Sequence, residues 1–243
     1  MSKEYNGLDP QNESFKEKII NWWNKLVDHC KNDYKKILIA YAIFLGVAIA
    51  AILIDQLTKT FLFEWNSAHT GGSNDTTYQG TLIGVRSVGH YGVTFIPSAE
   101  HKRGPLIFIQ FLSIIILIGL LTIPLLSKHL STIIICAIIW AGDFGNMLDR
   151  FLFNMMVKDI FFVPFVEKWS GRTLGTFNFA DVCIVVGCIS LVIFIFTEIF
   201  IEKIRTNKEK ENIEIIDKIV QEDNKNNNVE ENINNEIKDD KDE

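Results

Sequence analysis

The sequence is short of the residues that most enzyme centres are built from. Its four cysteines, Cys30, Cys136, Cys183 and Cys188, show no metal-ligand spacing and no disulfide framework, and read as small apolar filler. Its five histidines, His29, His69, His90, His101 and His129, form no spaced metal motif. There is no G-x-S-x-G elbow and no P-loop, and the Ser, His and Asp residues outside the apolar runs form no triad pattern. These absences argue against zinc-protease, serine-nucleophile and nucleotide-phosphate chemistry, and no cofactor, metal or nucleic-acid partner is expected. A short apolar leader near the start is missing as well. A polar stretch of 36 residues precedes the first apolar run, which is therefore expected to stay as an anchor.

Long apolar blocks are what the sequence has in place of spaced core positions. A helix crossing a bilayer needs about 20 mostly apolar residues, because the hydrocarbon core is about 30 Å thick and each residue rises about 1.5 Å. Four segments meet that length, at about 37–63, 106–126, 130–148 and 182–201. The expected fold is an α-helical membrane protein with four transmembrane helices. Residues 207–243 hold 13 acidic and 6 basic side chains, leaving about +1 for the rest of a chain whose formal charge is −6. The acidity therefore belongs to the tail and says little about the substrate.

Basic residues set the orientation. Seven lysines precede the first run, and Lys203, Arg205, Lys208 and Lys210 follow the last, so both termini are expected on the cytoplasmic side. The segments 64–105 and 150–180 then lie outside. The first mixes glycines with strand-like pieces at 81–88 and 92–97, which suggests a small extracytoplasmic β-rich platform. In the second, pieces at 160–166 and 173–179 are candidates to pair as strands or to wrap back on the bilayer. Phe15, Ile19, Trp22, Trp23, Leu26, Cys30 and Tyr34 recur at helical spacing, the pattern of a surface amphipathic N-terminal helix. Three parts follow: a cytoplasmic extension over 1–36, a membrane domain over 37–203, and an acidic tail over 204–243 expected to be disordered.

Ionisable groups inside spans are costly and so are functional candidates. Under this topology Asp55 and Lys59 close the first span, Asp149 and Arg150 close the third, and Asp181 opens the fourth, all at the outer boundary. Asp159 lies nine residues past Arg150 in the outer loop. Asp55 and Lys59 are spaced to pair on one helical face, as are Asn146 and Arg150, and Asn178 is placed either to share a face with Asp181 or to cap its helix. Two carboxylates in a partly desolvated site do not both ionise readily, so one can act as base while the other donates a proton. That suits peptide hydrolysis by aspartates. A proton-coupled carrier would use similar residues, although the second and fourth spans continue the polar path hardly at all. Asp55, Asp149, Asp159 and Asp181 are equally eligible at this point.

Four blocks together resemble the lipoprotein signal peptidase family, also called signal peptidase II. They are Asp55-Gln56-Leu57-Thr58-Lys59, the run from Gly142 to Arg150 in the pattern G-x-x-G-N-x-x-D-R, Val157-Lys158-Asp159, and Phe177-Asn178-Phe179-Ala180-Asp181. The likeness covers roughly residues 37–201. It implies that Asp159 and Asp181 are the catalytic aspartates. It also implies that Asp55, Lys59, His90, Gly142, Asn146, Asp149, Arg150, Asn178 and Ala180 shape the site or contact substrate and the antibiotic globomycin, with Asp149 and Arg150 read as a structural ion pair. The implied partners are membrane lipid and prolipoproteins carrying a diacylglyceryl cysteine, cut just before that cysteine. The sequence departs from the family pattern in three places. His90 stands where the family has Asn, Asp143 stands where it has a small apolar residue, and the stretch from Asp149 to Asp159 is about one residue longer than usual. A catalytically silent member that binds lipoproteins in the same groove rests on the first two.

Overall fold

Among the described residues, four stretches are long and apolar enough to cross a membrane, Tyr34–Leu62, Gly104–Leu126, Leu130–Leu152 and Phe179–Ile216, which agrees with the expected fold class. The computed structural model describes residues 15–91, 103–173 and 175–239. In chain order the elements are α1 (Phe15–Asn32), α2 (Tyr34–Leu62), β1 (Thr76–Gln79), β2 (Gly84–Tyr91), α3 (Arg103–Leu121), α4 (Ile123–Leu126), α5 (Leu130–Leu152), β3 (Met156–Phe162), α6 (Pro164–Ser170) and α7 (Phe179–Asp239). The second apolar run is two helices rather than one. Pro124 lacks the N–H that an unbroken helix would need, and the chain turns at Thr122 before restarting as α4.

Packing centres on α5, the most amphipathic of the spans. Ala40 and Phe44 of α2 meet Ile133, Cys136 and Ala137 of α5 in a buried cluster. Trp140 of α5 donates its indole N–H to the Leu117 carbonyl of α3 at 3.1 Å, and its ring stacks on Phe144 at a centroid distance of 4.9 Å. Gly142 lets α5 approach the start of α7, since a Cβ there would lie 2.5 Å from the Ala180 carbonyl oxygen. The outward faces stay apolar and uncovered, as at Leu38, Leu53, Phe111, Ile115 and Ile189. That pattern places hydrocarbon rather than water against the bundle. From Val192 onward the chain forms a second unit, made of the rest of α7.

Among the described residues, the segments that follow α2 and α5 form a three-stranded antiparallel sheet in the order β1-β2-β3. Val88 faces Asp159 across the β2–β3 ladder, and His90 faces Val157. Two details differ from the sequence expectation. The piece at 160–166 stops as a strand at Phe162, because Pro164 opens α6, which Gly171 closes in the left-handed conformation at φ 65°. The piece at 173–179 contributes only a bridge between Phe177 and Phe161, because Asn178 caps the last helix and Phe179 begins it. The strand-like piece at 92–97 lies outside the described residues.

The N-terminal amphipathic segment is a helix over Phe15–Asn32, with Phe15, Ile19, Trp22 and Trp23 all exposed. Tyr34 belongs instead to α2. After the last apolar stretch the chain continues as helix, α7 running on to Asp239. Its 207–239 stretch contains no Gly or Pro to stop the helix, and its Glu, Lys, Asn and Ile can all be accommodated in one.

The close α5–α7 approach generates a test. Gly142→Leu should lower thermal stability in detergent by about 1–3 kcal/mol, because its side chain has backbone rather than a movable side chain in front of it. Gly46→Leu, on a face with open space, should change stability little.

Candidate active site

The start of α7 is fixed by a reciprocal cap. Asn178 precedes the first helical residue, and its Oδ1 accepts the Asp181 backbone N–H at 3.0 Å, while Asp181 Oδ2 accepts the Asn178 backbone N–H at 3.0 Å. This satisfies two amide donors that a helix start otherwise leaves open. The Ala180 N–H goes to Asp55 Oδ1 at 2.9 Å. The sequence N-x-A-D thus has a local physical meaning. Asn and Asp close the cap, and the small Ala, itself buried, lets α2 and α5 come close.

Beneath the cap lies a buried ammonium. Lys59 has no exposed surface, and its Nζ sits 2.8 Å from Asp55 Oδ2, 3.1 Å from Asp149 Oδ2 and 3.2 Å from Asn146 Oδ1. Three acceptors match its three protons. Gln56 completes the ring by donating to Asp55 Oδ2 at 3.0 Å and to Asp149 Oδ1 at 3.3 Å. Asp149 Oδ2 also accepts the Lys158 backbone N–H at 3.0 Å, which ties the end of α5 to β3. A Cβ at Gly145 would lie 2.7 Å from Asp55 Oδ2, so only glycine leaves this carboxylate its place.

Two asparagines connect this centre to the nominated aspartates. Asn146 Nδ2 donates to Asp181 Oδ1 at 2.8 Å, and its Oδ1 accepts from Asn178 Nδ2 at 3.0 Å. Asn178 Nδ2 also donates to Asp159 Oδ1 at 2.8 Å. Asp159 and Asp181 are therefore held from one side chain, Asn178, although they come from different elements. Asp159 is only 5% exposed. Burial, with the charge of Asp181 second, pushes its carboxyl well above the ordinary carboxylate range, and the Asn178 hydrogen bond opposes this without reversing it. Neighbouring Lys158 is also buried and lies over the Phe153 ring at 4.2 Å, and burial pulls its ammonium below the usual lysine range.

A family model described as signal peptidase (SPase) II matches residues 47–197. The chain belongs to the signal peptidase II family. A lipoprotein signal peptidase of Pelodictyon phaeoclathratiforme is 28% identical over 161 residues, covering 63% of this chain and 89% of that protein. The one from Treponema denticola is 31% identical, covering 64% and 85%, and the one from Borrelia turicatae is 28% identical, covering 70% and 95%. A bacterial membrane enzyme solved by the in meso method at 2.3 Å resolution has the same fold, with a TM-score of 0.51 at 22% identity over 64% of this chain and 88% of that one. The chain is thus a membrane-embedded bacterial enzyme of the signal peptidase II class.

The fold brings most of the residues that the family resemblance singles out into one network, comprising Asp55, Lys59, Gly142, Asn146, Asp149, Asn178, Ala180, Asp159 and Asp181. One reading of this signal peptidase II chain is corrected. The cation paired with Asp149 is Lys59 and not Arg150, because adjacent helical residues point about 100° apart and Asp149 faces inward toward α2. Asn146 likewise engages Lys59, Asn178 and Asp181. Arg150 and His90 instead line a cavity of about 640 Å³ together with Asp159, Asp181 and Asn146, and its other wall is the apolar side of α3 at Phe108, Leu112 and Ile116. Gln56, Lys158 and Ser113 are parts of the site that the sequence reading does not single out. The motif position of Gln56 and Lys158 was a usable signal for the first two.

The buried ammonium predicts a large, asymmetric effect. Lys59→Met leaves two buried carboxylates without their cation and should cost about 3–5 kcal/mol in a detergent melt. Adding Asp55→Asn to that variant should restore part of the loss. An equal loss in the single and double variants would show that charge pairing is not what Lys59 contributes.

Proposed function

We propose that this enzyme removes signal peptides from prolipoproteins, cutting just before a diacylglyceryl-modified cysteine, with Asp181 as base and Asp159 as acid. The observation that carries the reading is the joining of two carboxylates of different environment through Asn178, at a cavity with one polar and one apolar wall. Asp181 accepts N–H hydrogen bonds on both oxygens, an arrangement suited to the ionised form. Asp159 is the carboxyl whose surroundings favour the proton.

In the forward step Asp181 takes a proton from a water whose oxygen attacks the scissile carbonyl carbon. Asp159 donates its proton toward the carbonyl oxygen as negative charge develops there. Collapse of the tetrahedral intermediate breaks the C–N bond. Asp181 returns its proton to the leaving amine of the cysteine, and Asp159 recovers its own from the former carbonyl oxygen. Asn178 and Asn146 fix the distance between the two carboxyls by packing and hydrogen bonds.

The basic segments flanking the first and last spans support cytoplasmic termini, which puts the catalytic pair at the outer bilayer boundary. α1 then rests on the inner surface with its tryptophans at the interface. A cavity that is apolar toward α3 suits a peptide bond whose neighbouring cysteine carries acyl chains.

Asp159→Asn and Asp181→Asn should each accumulate in the membrane yet lose at least about a hundredfold in cleavage of a diacylglyceryl-modified precursor, with globomycin inhibition of the unaltered protein as control. Full activity in either variant would remove that residue from the mechanism.

The raised Asp159 carboxyl sets the direction of two pH effects. Activity should fall as pH rises through its titration, since the acid is then lost. In folding, the native state holds this proton more tightly than the unfolded chain, so the contribution is complete below about pH 4 and is lost as pH climbs toward the raised native value. The melting temperature of Asp159→Asn should therefore gain on the unaltered protein with rising pH across that window. A constant difference would contradict the sign.

A further inference from the structure

Asp143 of α5 takes no part in the steps above and, unlike Asp149, is not paired with Lys59. It lines the same cavity as Asp159, Asp181 and Asn146, a cavity also lined by the apolar Phe108, Leu112 and Ile116. Ser113 of α3 donates its hydroxyl to Asp143 Oδ1 at 2.5 Å. Asp143 Oδ2 is buried and has no hydrogen-bond partner among the described residues. The same α3 face carries a second unmet group. Ser113 is opposite Asp143 and Leu117 is opposite Trp140, and continuing this antiparallel register puts Gln110 opposite Asn146 and Met147. Gln110 is buried, and neither of its amide atoms has a partner among the described residues.

An unmet carboxyl oxygen in the hydrocarbon part of a protein is expensive, and such a group persists where something else meets it. A helix tie alone does not account for the arrangement, because the Ser113 contact uses only one of the two oxygens. Asp143 lies one turn below Asn146 on α5, so it is about 4.5 Å further into the span than the asparagine that holds Asp181. An extended peptide advances about 3.3 Å per residue. A peptide bond held at Asp181 therefore brings a side chain one or two residues away into reach of Asp143, on the side that continues into the bilayer.

We propose that Asp143, oriented by Ser113, is a specificity-determining residue that hydrogen-bonds a hydroxyl side chain of the precursor, one or two residues before the cleaved bond. This rests on the signal peptidase reading given above. The rest of the cavity wall at that depth, Ile109, Leu112, Ile116, Ile184 and Val185, offers apolar contact only, so Asp143 and Ser113 are the groups there able to distinguish a hydroxyl from a methyl.

The test uses the full-length protein in detergent and a set of diacylglyceryl-modified precursors that differ only in having Ser, Ala or Val at each of the three positions before the modified cysteine. The unaltered protein should show a kcat/KM about five- to tenfold higher for Ser than for Ala at one of the two nearest positions, the effect of one net hydrogen bond. Asp143→Ala and Ser113→Ala should bring that ratio to within twofold of unity, and Asp143→Asn, which keeps hydrogen-bonding capacity, should retain part of it. A flat profile in the unaltered protein overturns the inference, and this arm needs no variant to fold. A ratio unchanged in Asp143→Ala, or an equal loss on every precursor, also overturns it, since a merely structural tie would slow all substrates alike. Cleavage with a flat profile sinks this inference alone, whereas absence of cleavage of any lipidated precursor sinks the peptidase reading beneath it.

Discussion

The ammonium of Lys59 is the constraint on which the rest of this site depends. A fully buried cation is tolerable only if every proton finds an acceptor, and here Asp55, Asp149 and Asn146 supply them from two helices. Each acceptor then has a second obligation. Asp55 holds the Ala180 amide, Asp149 holds the Lys158 amide, and Asn146 holds Asp181 and Asn178. One charge thereby fixes α2, α5, β3 and the start of α7 relative to one another. The two proposed catalytic carboxyls are the outer members of that arrangement.

This division explains why so many polar residues stand at one depth of a membrane protein without all acting on substrate. Asp55 and Asp149 are neutralised inward and turned from the cavity, whereas Asp159 and Asp181 border it. The environment, not the residue type, separates them. Asp159 sits in a strand buried from both sides, and Asp181 at a helix N-terminus whose amides favour negative charge. That difference in surroundings is what the proposed division into acid and base rests on.

Close approach depends on small residues as much as on charge. Gly142, Gly145 and Ala180 let the three helix segments meet where Asp55 reaches the Ala180 amide. The turn from α5 into β3 also carries strain, with Asn154 and Met155 both at positive φ, at 50° and 70°. Those two residues reverse the chain so that β3 returns to the end of α5.

The sequence by itself determined the four apolar crossings, because bilayer thickness turns run length into a count of spans. It also determined that Asp55 and Lys59 would pair, because i,i+4 spacing is a local property of any helix. It left Asn178 either to share a face with Asp181 or to cap its helix, and the fold makes it the cap. What it left open was every contact made across elements. That Asp149 answers Lys59 and not Arg150, that Asn178 reaches Asp159, and that strand pairing stops where α6 and α7 begin all follow from how helices and strands meet. Charge bias and spacing place residues at a depth in the bilayer, but they do not say which way a side chain turns once the helices pack. Only the tertiary structure decided which of four eligible aspartates share an asparagine at the cavity, since desolvation and hydrogen bonding arise from neighbours far away in the chain.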